Sequence, residues 1–520
     1  MTKPRAWHGA VAGAALATAF IAVSFLGWTA LDLPFLPFDL FDWMARALPG
    51  SAATAGVDVF VSLSRLIGGE NLAAAAKPIE QATAVGGLLL VAVIGGTIVF
   101  AFLRLIHEPA LLLGTIMGAM LGGIALVIEY QLDRIETGPA LSGPWVFATV
   151  AACGVAFGWI HDRLSGEGAV AGAHAVAGAV DEAADRRRFL IQLGGSSVLA
   201  ALASTLAGAL VFGRSESFAG SRWSDTHPLP NADAPVAPVA GTRPEFTPLS
   251  RHYRVDTNTR PPRIDAAEWR LRVTGMVQRP LAWTLGELRQ WDPLHQFATL
   301  SCISNPPGGD LISTTRWTGV SLKRLLQAFV LSESATHLRI VSADGFSESV
   351  ALAAIRNDER IMLAYAWDGV PLPANHGFPL RLYVPDLYGM KQPKWIVAIE
   401  AVDRWTPGYW VSRGWDREGR VGIVSAIDAI NPVPGDSGRQ ADLGGAAFAG
   451  THGVSRVEVR VDEGKWETAE LRQPPLSEMT WVLWRARLAL SSGTHAFTVR
   501  AFDGQGRPQT ADFHTRRFQV

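Results

Sequence analysis

Five long apolar runs in the first 215 residues constrain this chain more than any other feature of its sequence. They lie near Trp7–Ala30, Ala84–Ile106, Ala110–Tyr130, Pro144–Ile160 and Phe189–Phe212. A helix needs about 20 apolar residues to cross the hydrocarbon core of a bilayer, so we predict five membrane-spanning helices and contact with lipid. The fourth run is short and contains glycine, and a buried helix of a soluble domain is the alternative there. A composition with 48% hydrophobic and only 18% charged residues agrees with a membrane-embedded part.

Basic residues near the ends of these runs predict their orientation. Lys3 and Arg5 precede the first run, Arg104 lies at the turn between the second and third, and Arg186–Arg188 precede the fifth. Loops rich in Lys and Arg stay on the cytoplasmic side. We therefore expect a multi-pass protein of the cytoplasmic membrane with its N-terminus inside and everything after the fifth run outside.

The arginines before the fifth run have a second interpretation. Arg186 and Arg187, followed by Phe189 and Leu190, resemble a twin-arginine export motif. Such export carries folded domains, which suits a cofactor inserted before crossing. Simple anchoring by positive charge is the alternative, and the motif alone does not decide between them.

Composition and patterning divide the chain into four predicted parts. Residues 1–214 form the α-helical transmembrane domain, and 215–247, rich in Ser, Asp, Pro and Ala, are predicted to be a linker. Residues 248–426 alternate short strands with helical patches, which indicates an α+β domain. Residues 427–520 contain β-rich runs separated by turns, which predicts a C-terminal all-β sandwich of immunoglobulin type.

The charge balance and the cysteines limit the possible functions further. With 46 basic and 47 acidic residues the chain has no overall attraction for nucleic acid. Two cysteines, Cys153 and Cys302, do not make a disulfide framework. Cys302 lies on a Gly- and Pro-rich loop after a predicted strand, and it could be a nucleophile, a metal ligand or neither. No histidine has a spacing that selects it as the base of a nucleophilic cysteine.

Six segments between residues 250 and 425 resemble the molybdopterin domain of the sulfite oxidase family, in the order of that family. They are His252-Tyr-Arg-Val-Asp-Thr, Trp269-Arg-Leu-Arg-Val-Thr-Gly, Leu300-Ser-Cys-Ile-Ser-Asn, Arg316-Trp-Thr-Gly-Val-Ser-Leu, Leu363-Ala-Tyr-Ala-Trp-Asp-Gly-Val-Pro-Leu and His376-Gly-Phe-Pro-Leu-Arg-Leu-Tyr-Val-Pro. The β-rich C-terminal region resembles the dimerisation domain of the same enzymes, which implies a homodimer. The resemblance is to a membrane-anchored bacterial type.

The resemblance implies a molybdenum–molybdopterin cofactor and a role for each matching residue. Cys302 matches the thiolate ligand of the metal, a role that suits soft sulfur. Arg381 and Lys394 match contacts to the pterin phosphate. The other implied cofactor contacts are Tyr253, Arg254, Ser342, Asp344 and His376, and the implied catalytic residues are Cys302, Arg254 and Asn305.

Two departures from the family pattern concern the substrate. Sulfite oxidases carry arginines after the cysteine motif, but here Asn305 is followed by Pro306, Pro307 and Gly308. The family's active-site tyrosine position holds Trp415, which has no phenolic proton. Part of the binding site for the sulfite anion is therefore missing.

The sequence thus predicts a membrane-anchored molybdenum oxidoreductase that transfers an oxygen atom to or from a small S- or N-containing molecule. The chain has no Cys-x-x-Cys-His haem site and no iron–sulfur spacing, so we expect a separate electron carrier, a cytochrome or a quinone-linked subunit. The first alternative is a non-catalytic, membrane-tethered binding protein that keeps the fold without the metal. A cysteine-nucleophile hydrolase is the second.

Overall fold

A computed structural model describes residues 4–519 except 53–54, 57–58, 60–61, 63–71, 106–108, 133–138, 166–178, 213–220, 436–437 and 511–512. The chain divides into two compact units. The first contains Met1–Leu48, Pro78–Ser217 and Thr257–Arg260, and the second contains Pro49–Lys77, Phe218–Asp256 and Pro261–Val520.

Long apolar helices form the first unit. The helices are α1 (Ala6–Leu31), α2 (Leu36–Ala47), α3 (Leu72–Leu103), α4 (Ala110–Leu132), α5 (Pro139–Ser165) and α6 (Ala179–Phe212). Among the described residues, four helices are long and apolar enough to cross a membrane: Ala6–Leu31, Ala75–Leu103, Ala110–Leu132 and Ala140–Ser165. These match the first four predicted runs. The fifth run lies in α6, but the described residues of α6 do not add a fifth candidate span, and several of its side chains lie outside the described part of the chain.

Glycines allow α4 and α5 to pack with their backbones almost touching. Gly114 and Gly118 of α4 face Gly154 and Gly158 of α5, and a Cβ atom added to Gly154 would lie 2.4 Å from the carbonyl oxygen of Gly114. Small residues at such positions let two membrane helices gain close van der Waals contact, which is a main source of helix association in lipid. The fourth run, for which a soluble helix was the alternative, is therefore tightly packed against its neighbour.

The short helix α2 places two carboxylates in the interior of the first unit. Asp39 and Asp42 are fully buried. Asp42 accepts hydrogen bonds from the backbone nitrogen of Thr259 (3.0 Å) and from its hydroxyl (3.0 Å), and Arg260 Nη2 lies 3.4 Å from Asp39. The segment Thr257–Arg260 is thus fixed by charge-assisted hydrogen bonds.

Two sheets form the part of the second unit between Leu271 and Val402. The first sheet has the order β2-β1-β10-β5-β6, with β1 parallel to β10, and the second has the order β3-β4-β7-β8, with β9 also paired to β7. The strands are β1 (Leu271–Gly275), β2 (Leu281–Trp283), β3 (Leu294–Ser301), β4 (Ile312–Ser321), β5 (His337–Ser342), β6 (Ser347–Ala351), β7 (Met362–Trp367), β8 (Val370–Pro371), β9 (Arg381–Tyr383) and β10 (Ile396–Val402).

Burial patterns explain the strands β5 and β7 in this part of the second unit. The side chains of β5 alternate between buried and half-buried, whereas every residue of β7 is buried, as its unbroken apolar sequence requires. The short helices are α7 (Trp223–Thr226), α8 (Leu285–Leu288), α9 (Leu322–Leu325) and α10 (Leu352–Asn357). The helix α9 is short, because the chain turns after Leu326 and Phe329 folds back into the core.

The C-terminal part of the second unit contains two four-stranded antiparallel sheets that share one apolar core. Their orders are β11-β12-β16-β15 and β14-β13-β17-β18. The strands are β11 (Val424–Gly435), β12 (Gly438–Phe448), β13 (Val454–Val461), β14 (Glu467–Thr468), β15 (Glu470–Leu471), β16 (Val482–Leu490), β17 (Thr494–Asp503) and β18 (His514–Gln519).

Hydrogen bonds fix several points of the predicted linker, 215–247, to other parts of the second unit, among the residues of it that the structure describes. Arg472 donates hydrogen bonds to Glu245 (3.0 Å) and to the carbonyl oxygens of Asn231, Ala234 and Val236 (2.8–2.9 Å). Trp223 and Thr247 make backbone hydrogen bonds to Asp368 and Thr314. We call residues 221–247 the strap. Their Pro- and Ala-rich composition is compatible with an ordered segment, because the contacts that stabilise it come from residues elsewhere in the chain.

Candidate active site

Cys302 follows the last residue of β3, and its side chain is only 9% exposed. Its backbone nitrogen donates to Leu311 O (2.9 Å), while the Leu311 nitrogen donates to Asn305 Oδ1 (2.9 Å). The side chain of Asn305 therefore stabilises the loop that follows Cys302. Burial raises the pKa of the Cys302 thiol, although hydrogen bonds from Ser304 and Ile303 act in the opposite direction. A cation or metal beside the sulfur would favour the thiolate.

A group of buried and half-buried cations lies around Asp256. Its carboxylate, 2% exposed, contacts Arg254 Nε (2.8 Å), Lys77 Nζ (2.9 Å) and Lys394 Nζ (3.2 Å), all in the second unit. Burial opposes ionisation of Asp256, but Lys394, Lys77 and Arg254 together hold its pKa well below its ordinary value. Burial lowers the pKa of Lys394 to about 8 even though Asp256 raises it.

Arg381 is the next cation of this group, and it lies in an aromatic setting. Its guanidinium is 4.8 Å from the centre of the Trp317 ring, and Nη1 donates to the carbonyl oxygen of His376 (3.0 Å). Burial lowers its pKa to about 10, with Tyr253 acting in the opposite direction. The arginine nevertheless stays charged at neutral pH.

Two buried histidines and a tyrosine complete the same region. His252 lies 5.4 Å from His376, ring centre to ring centre, and both lie against Trp367. Burial lowers the pKa of His252 to about 3, and burial together with the nearby cations and His252 lowers that of His376 well below its ordinary value. Both rings are therefore neutral at physiological pH. Tyr253 is buried, interacts electrostatically with Cys302 and Arg381, and keeps its proton because burial raises its pKa.

Ser342 is the last residue of β5, and Asp344 lies in the turn that follows it, before β6. The turn adjoins Lys394 because the nitrogen of Ala343 donates to the carbonyl oxygen of Trp395 (2.8 Å). Asp344 Oδ1 accepts from the nitrogen of Phe346 (3.0 Å) and so shapes the turn. The hydroxyl of Ser342, 2% exposed, has no hydrogen-bond partner among the described residues.

The described part of this region has more positive than negative charge and several polar atoms without a hydrogen-bond partner, and both features fit a phosphate-bearing pterin. Four cations, Lys77, Arg254, Arg381 and Lys394, accompany one carboxylate, Asp256, in the described part of the site. Buried charge without compensation is costly, so an anion is required there. In addition, Arg254 Nη2, His252 Nε2 and Ser342 Oγ are buried without a partner in the described structure. An anionic group with several acceptor atoms would satisfy both needs.

The structure places each of the predicted site residues. Tyr253, Arg254, His376, Arg381 and Lys394 lie in one electrostatic network, which Tyr253 joins to Cys302. Ser342 and Asp344 adjoin it through the turn described above, and Asn305 holds the cysteine loop.

The sequence analysis did not identify Lys77 or Asp256. It also did not identify Trp317 and Trp395, whose rings contact Arg381 and Lys394. Asp256 lies within the quoted His252-Tyr-Arg-Val-Asp-Thr motif, and a carboxylate two residues after Arg254 could have suggested an ion pair. The sequence around Lys77 gives no signal for its role.

The fold and the site together define a molybdopterin-dependent oxidoreductase. Residues 258–410 match the family model described as "Oxidoreductase molybdopterin binding domain". A protein of Azospira oryzae named as a protein-methionine-sulfoxide reductase subunit is 31% identical over 188 residues, which are 36% of this chain and 68% of the relative. The chain belongs to the sulfite oxidase family of molybdopterin-dependent oxidoreductases, as its sequence motifs predicted.

Other relatives show how far this similarity extends. Sulfite oxidase of Gallus gallus is 29% identical over 282 residues, which are 45% of this chain and 61% of the relative. Sulfite oxidase of Arabidopsis thaliana is 25% identical, with 54% of this chain and 85% of the relative covered. The solved sulfane dehydrogenase SoxCD of Paracoccus pantotrophus aligns with a TM-score of 0.45 and 20% identity over 53% of this chain and 76% of that chain.

Proposed function

We propose that this protein is a membrane-anchored molybdenum oxidoreductase that catalyses two-electron oxygen-atom transfer on a small S- or N-containing substrate outside the cytoplasm. The observation that carries the proposal is the cluster of buried Arg381 and half-buried Arg254 and Lys394, which buried Tyr253 links electrostatically to buried Cys302. When bound, the cofactor supplies the redox chemistry, since molybdenum exchanges two electrons with the substrate and an oxygen atom with it or with water.

The side chains of this protein would hold and orient that cofactor. Cys302 would bind the metal through its thiolate, and Arg254, Arg381 and Lys394 would bind the phosphate of the pterin. The neutral rings of His252 and His376 can each donate one hydrogen bond and accept another. Tyr253 keeps its phenolic proton and can donate it in a hydrogen bond close to Cys302.

A sulfoxide or N-oxide fits the site better than sulfite. The loop after Cys302 carries Pro306, Pro307 and Gly308 where sulfite oxidases carry arginines, so this loop offers no cation to an anionic substrate. The relative named as a protein-methionine-sulfoxide reductase subunit supports the same direction. Reduction of a sulfoxide would consume two electrons and two protons and release a thioether and water.

The electron donor, the topology and the dimer are parts of the same proposal. Electrons would come from a separate cytochrome or quinone-linked subunit, because the sequence has only two cysteines and no haem or iron–sulfur motif. The positive-inside pattern, with the fifth apolar run as a further span, supports an extracytoplasmic catalytic domain, because an even number of spans would return the chain to the cytoplasmic side. The two-sheet C-terminal part would be immunoglobulin-like and would form the contact of a homodimer.

A substrate screen with metal-loaded full-length protein tests the proposal. Sulfoxides and N-oxides would be offered with a low-potential one-electron dye as reductant, and sulfite with an artificial electron acceptor. We expect turnover of at least one oxide, little turnover of sulfite, and no turnover by Cys302→Ser. Metal-loaded protein that turns over none of these compounds would favour the non-catalytic binding protein.

A further inference from the structure

The strand that presents Cys302 is an edge strand, and the C-terminal β part covers its free edge. β3 is the first strand in the order β3-β4-β7-β8. On its open side Thr299 donates its backbone N–H to Met479 O (2.9 Å), and Trp481 donates its own to Thr299 Oγ1 (3.0 Å). Ser477 Oγ also donates to Phe297 O (2.6 Å). The strand before the cysteine is thus completed from another part of the fold.

The loop after Cys302 is held by an arginine of the strap. Arg243 forms a forked ion pair with Asp428 of β11, with Nε and Nη2 2.7–3.0 Å from the carboxylate oxygens. The same guanidinium donates to Gly309 O (3.3 Å) and Gly308 O (3.5 Å), and it lies 5.5 Å from the ring centre of Trp481. One side chain therefore joins the C-terminal part to two carbonyl groups of the cysteine loop.

A second contact, between Gly308 and His514, restricts the same loop. Gly308 has a φ of +75°, and a Cβ atom there would lie 2.3 Å from His514 Nε2. His514 Nδ1 accepts a hydrogen bond from the nitrogen of Ile427 (2.9 Å), so its ring is fixed against β11. Within the loop, the hydrogen bonds of Asn305 and Cys302 to Leu311 transmit this constraint to the cysteine backbone.

We propose that Arg243 is a positioning residue for Cys302, and that the C-terminal β part acts through Asp428 and Arg243 as the support of the metal-binding loop. The role of Cys302 as metal ligand rests on the proposed function, but the mechanical role of Arg243 does not. Only arginine can donate to the Asp428 carboxylate and to both carbonyl groups at once, because its N–H donors form a planar fork. Lysine at this position would keep the charge and lose the fork.

The test is the rate at which Cys302 is alkylated in the metal-free, full-length protein. A Cys153→Ser background leaves Cys302 as the only thiol. Arg243→Lys should raise the alkylation rate about tenfold, since loss of a charge-assisted hydrogen bond makes loop opening easier by about that factor. If this variant does not fold, Asp428→Asn replaces it, with a smaller rise in the same direction expected.

Arg472→Lys is the matched control. Arg472 also joins the strap to the C-terminal part through a buried carboxylate, Glu245, and through three carbonyl groups, but none of its hydrogen bonds reaches the cysteine loop. Its alkylation rate should equal that of the parent. An equal rise in Arg472→Lys, or no rise in Arg243→Lys and Asp428→Asn, would overturn the proposal.

A spectroscopic measurement on the loaded protein separates the two proposals. If Arg243 orients the thiolate, Arg243→Lys should shift the electron paramagnetic resonance signal of the half-reduced metal, whereas Arg472→Lys should not. An unchanged signal in metal-loaded Arg243→Lys would overturn the positioning role and leave the proposed function intact. Wild-type protein that never binds metal, with the alkylation difference present, would refute the proposed function and leave the mechanical role standing.

Discussion

Replacing Asp256 by asparagine should destabilise the second unit strongly, because it removes a buried carboxylate that compensates three cations among the residues the structure describes. Asp256 is 2% exposed and compensates Arg254, Lys77 and Lys394 at 2.8–3.2 Å. Removing one partner of a buried ion pair costs about 3–5 kcal/mol, since the other charge is left without compensation. For a unit of about 330 residues, about 3 kcal/mol corresponds to a fall of ~4 °C in the melting temperature.

The pH dependence of this effect follows from the two pKa values. The pKa of Asp256 is depressed in the folded protein, so its contribution is present above its unfolded value of about 4 and is lost only as the pH falls through its lower folded value. Lys394 has a pKa of about 8 in the wild type, where Asp256 raises it, so in Asp256→Asn this lysine loses its proton at a lower pH, which relieves part of the uncompensated charge. The difference between wild type and Asp256→Asn should therefore be largest just above about pH 4 and become smaller as the pH rises towards about 8.

The assay is thermal unfolding of the metal-free full chain in detergent, followed by tryptophan fluorescence at one fixed scan rate. Asp442→Asn is the control: Asp442 makes a forked pair with Arg487, but the side chains are 25% and 64% exposed, so a change of at most ~1 kcal/mol is expected. Equal shifts for both variants, or a shift below ~2 °C for Asp256→Asn, would refute the reasoning.

Three further predictions concern the cofactor, the membrane helices and the core. Retention of the pterin by dialysed protein should decline above about pH 8 as Lys394 loses its charge, and Lys394→Arg should remove the decline; a decline unchanged by this substitution would contradict the assignment. Gly154→Ile should cost ~1–3 kcal/mol or more and lower the melting temperature, because its Cβ meets the backbone of α4, whereas Gly123→Ile, with open space around it, should not; equal effects would exclude close helix packing as the cause. Leu271→Ala in the core should lower the free energy of unfolding by ~2–5 kcal/mol and half-exposed Val330→Ala much less, as measured by denaturant unfolding; similar losses would contradict the core assignment.

Sequence patterns located the catalytic domain well because its residues lie in short contiguous motifs. Cys302, His376 and Arg381 each lie in a quoted segment, and strands such as His337–Ser342 follow from alternating polarity. Of the five predicted spans, four coincide with helices of the described chain that are long and apolar enough to cross a membrane. The start of α3 was placed too late, because Lys77, Glu80 and Gln81 are polar, whereas backbone hydrogen bonding continues the helix beyond its apolar part.

What the sequence could not predict depends on contacts between distant residues. Lys77 meets Asp256, and Arg243 meets Asp428, only after folding, and no spacing rule connects either pair. The strap is the clearest case. Its Pro- and Ala-rich composition predicted a linker, whereas Arg472 and Thr314 hold it in place from parts of the chain far away in sequence.

Molybdenum content per chain tests the central claim most directly. The full-length protein would be purified from a host that makes and exports the cofactor, with Cys302→Ser in parallel, and the metal would be measured by elemental analysis together with the released pterin. We predict nearly one molybdenum per wild-type chain. In Cys302→Ser the pterin should be kept by Arg254, Arg381 and Lys394, and the visible absorption from sulfur-to-metal charge transfer should change. Folded wild-type protein that contains neither metal nor pterin would contradict the assignment of this site.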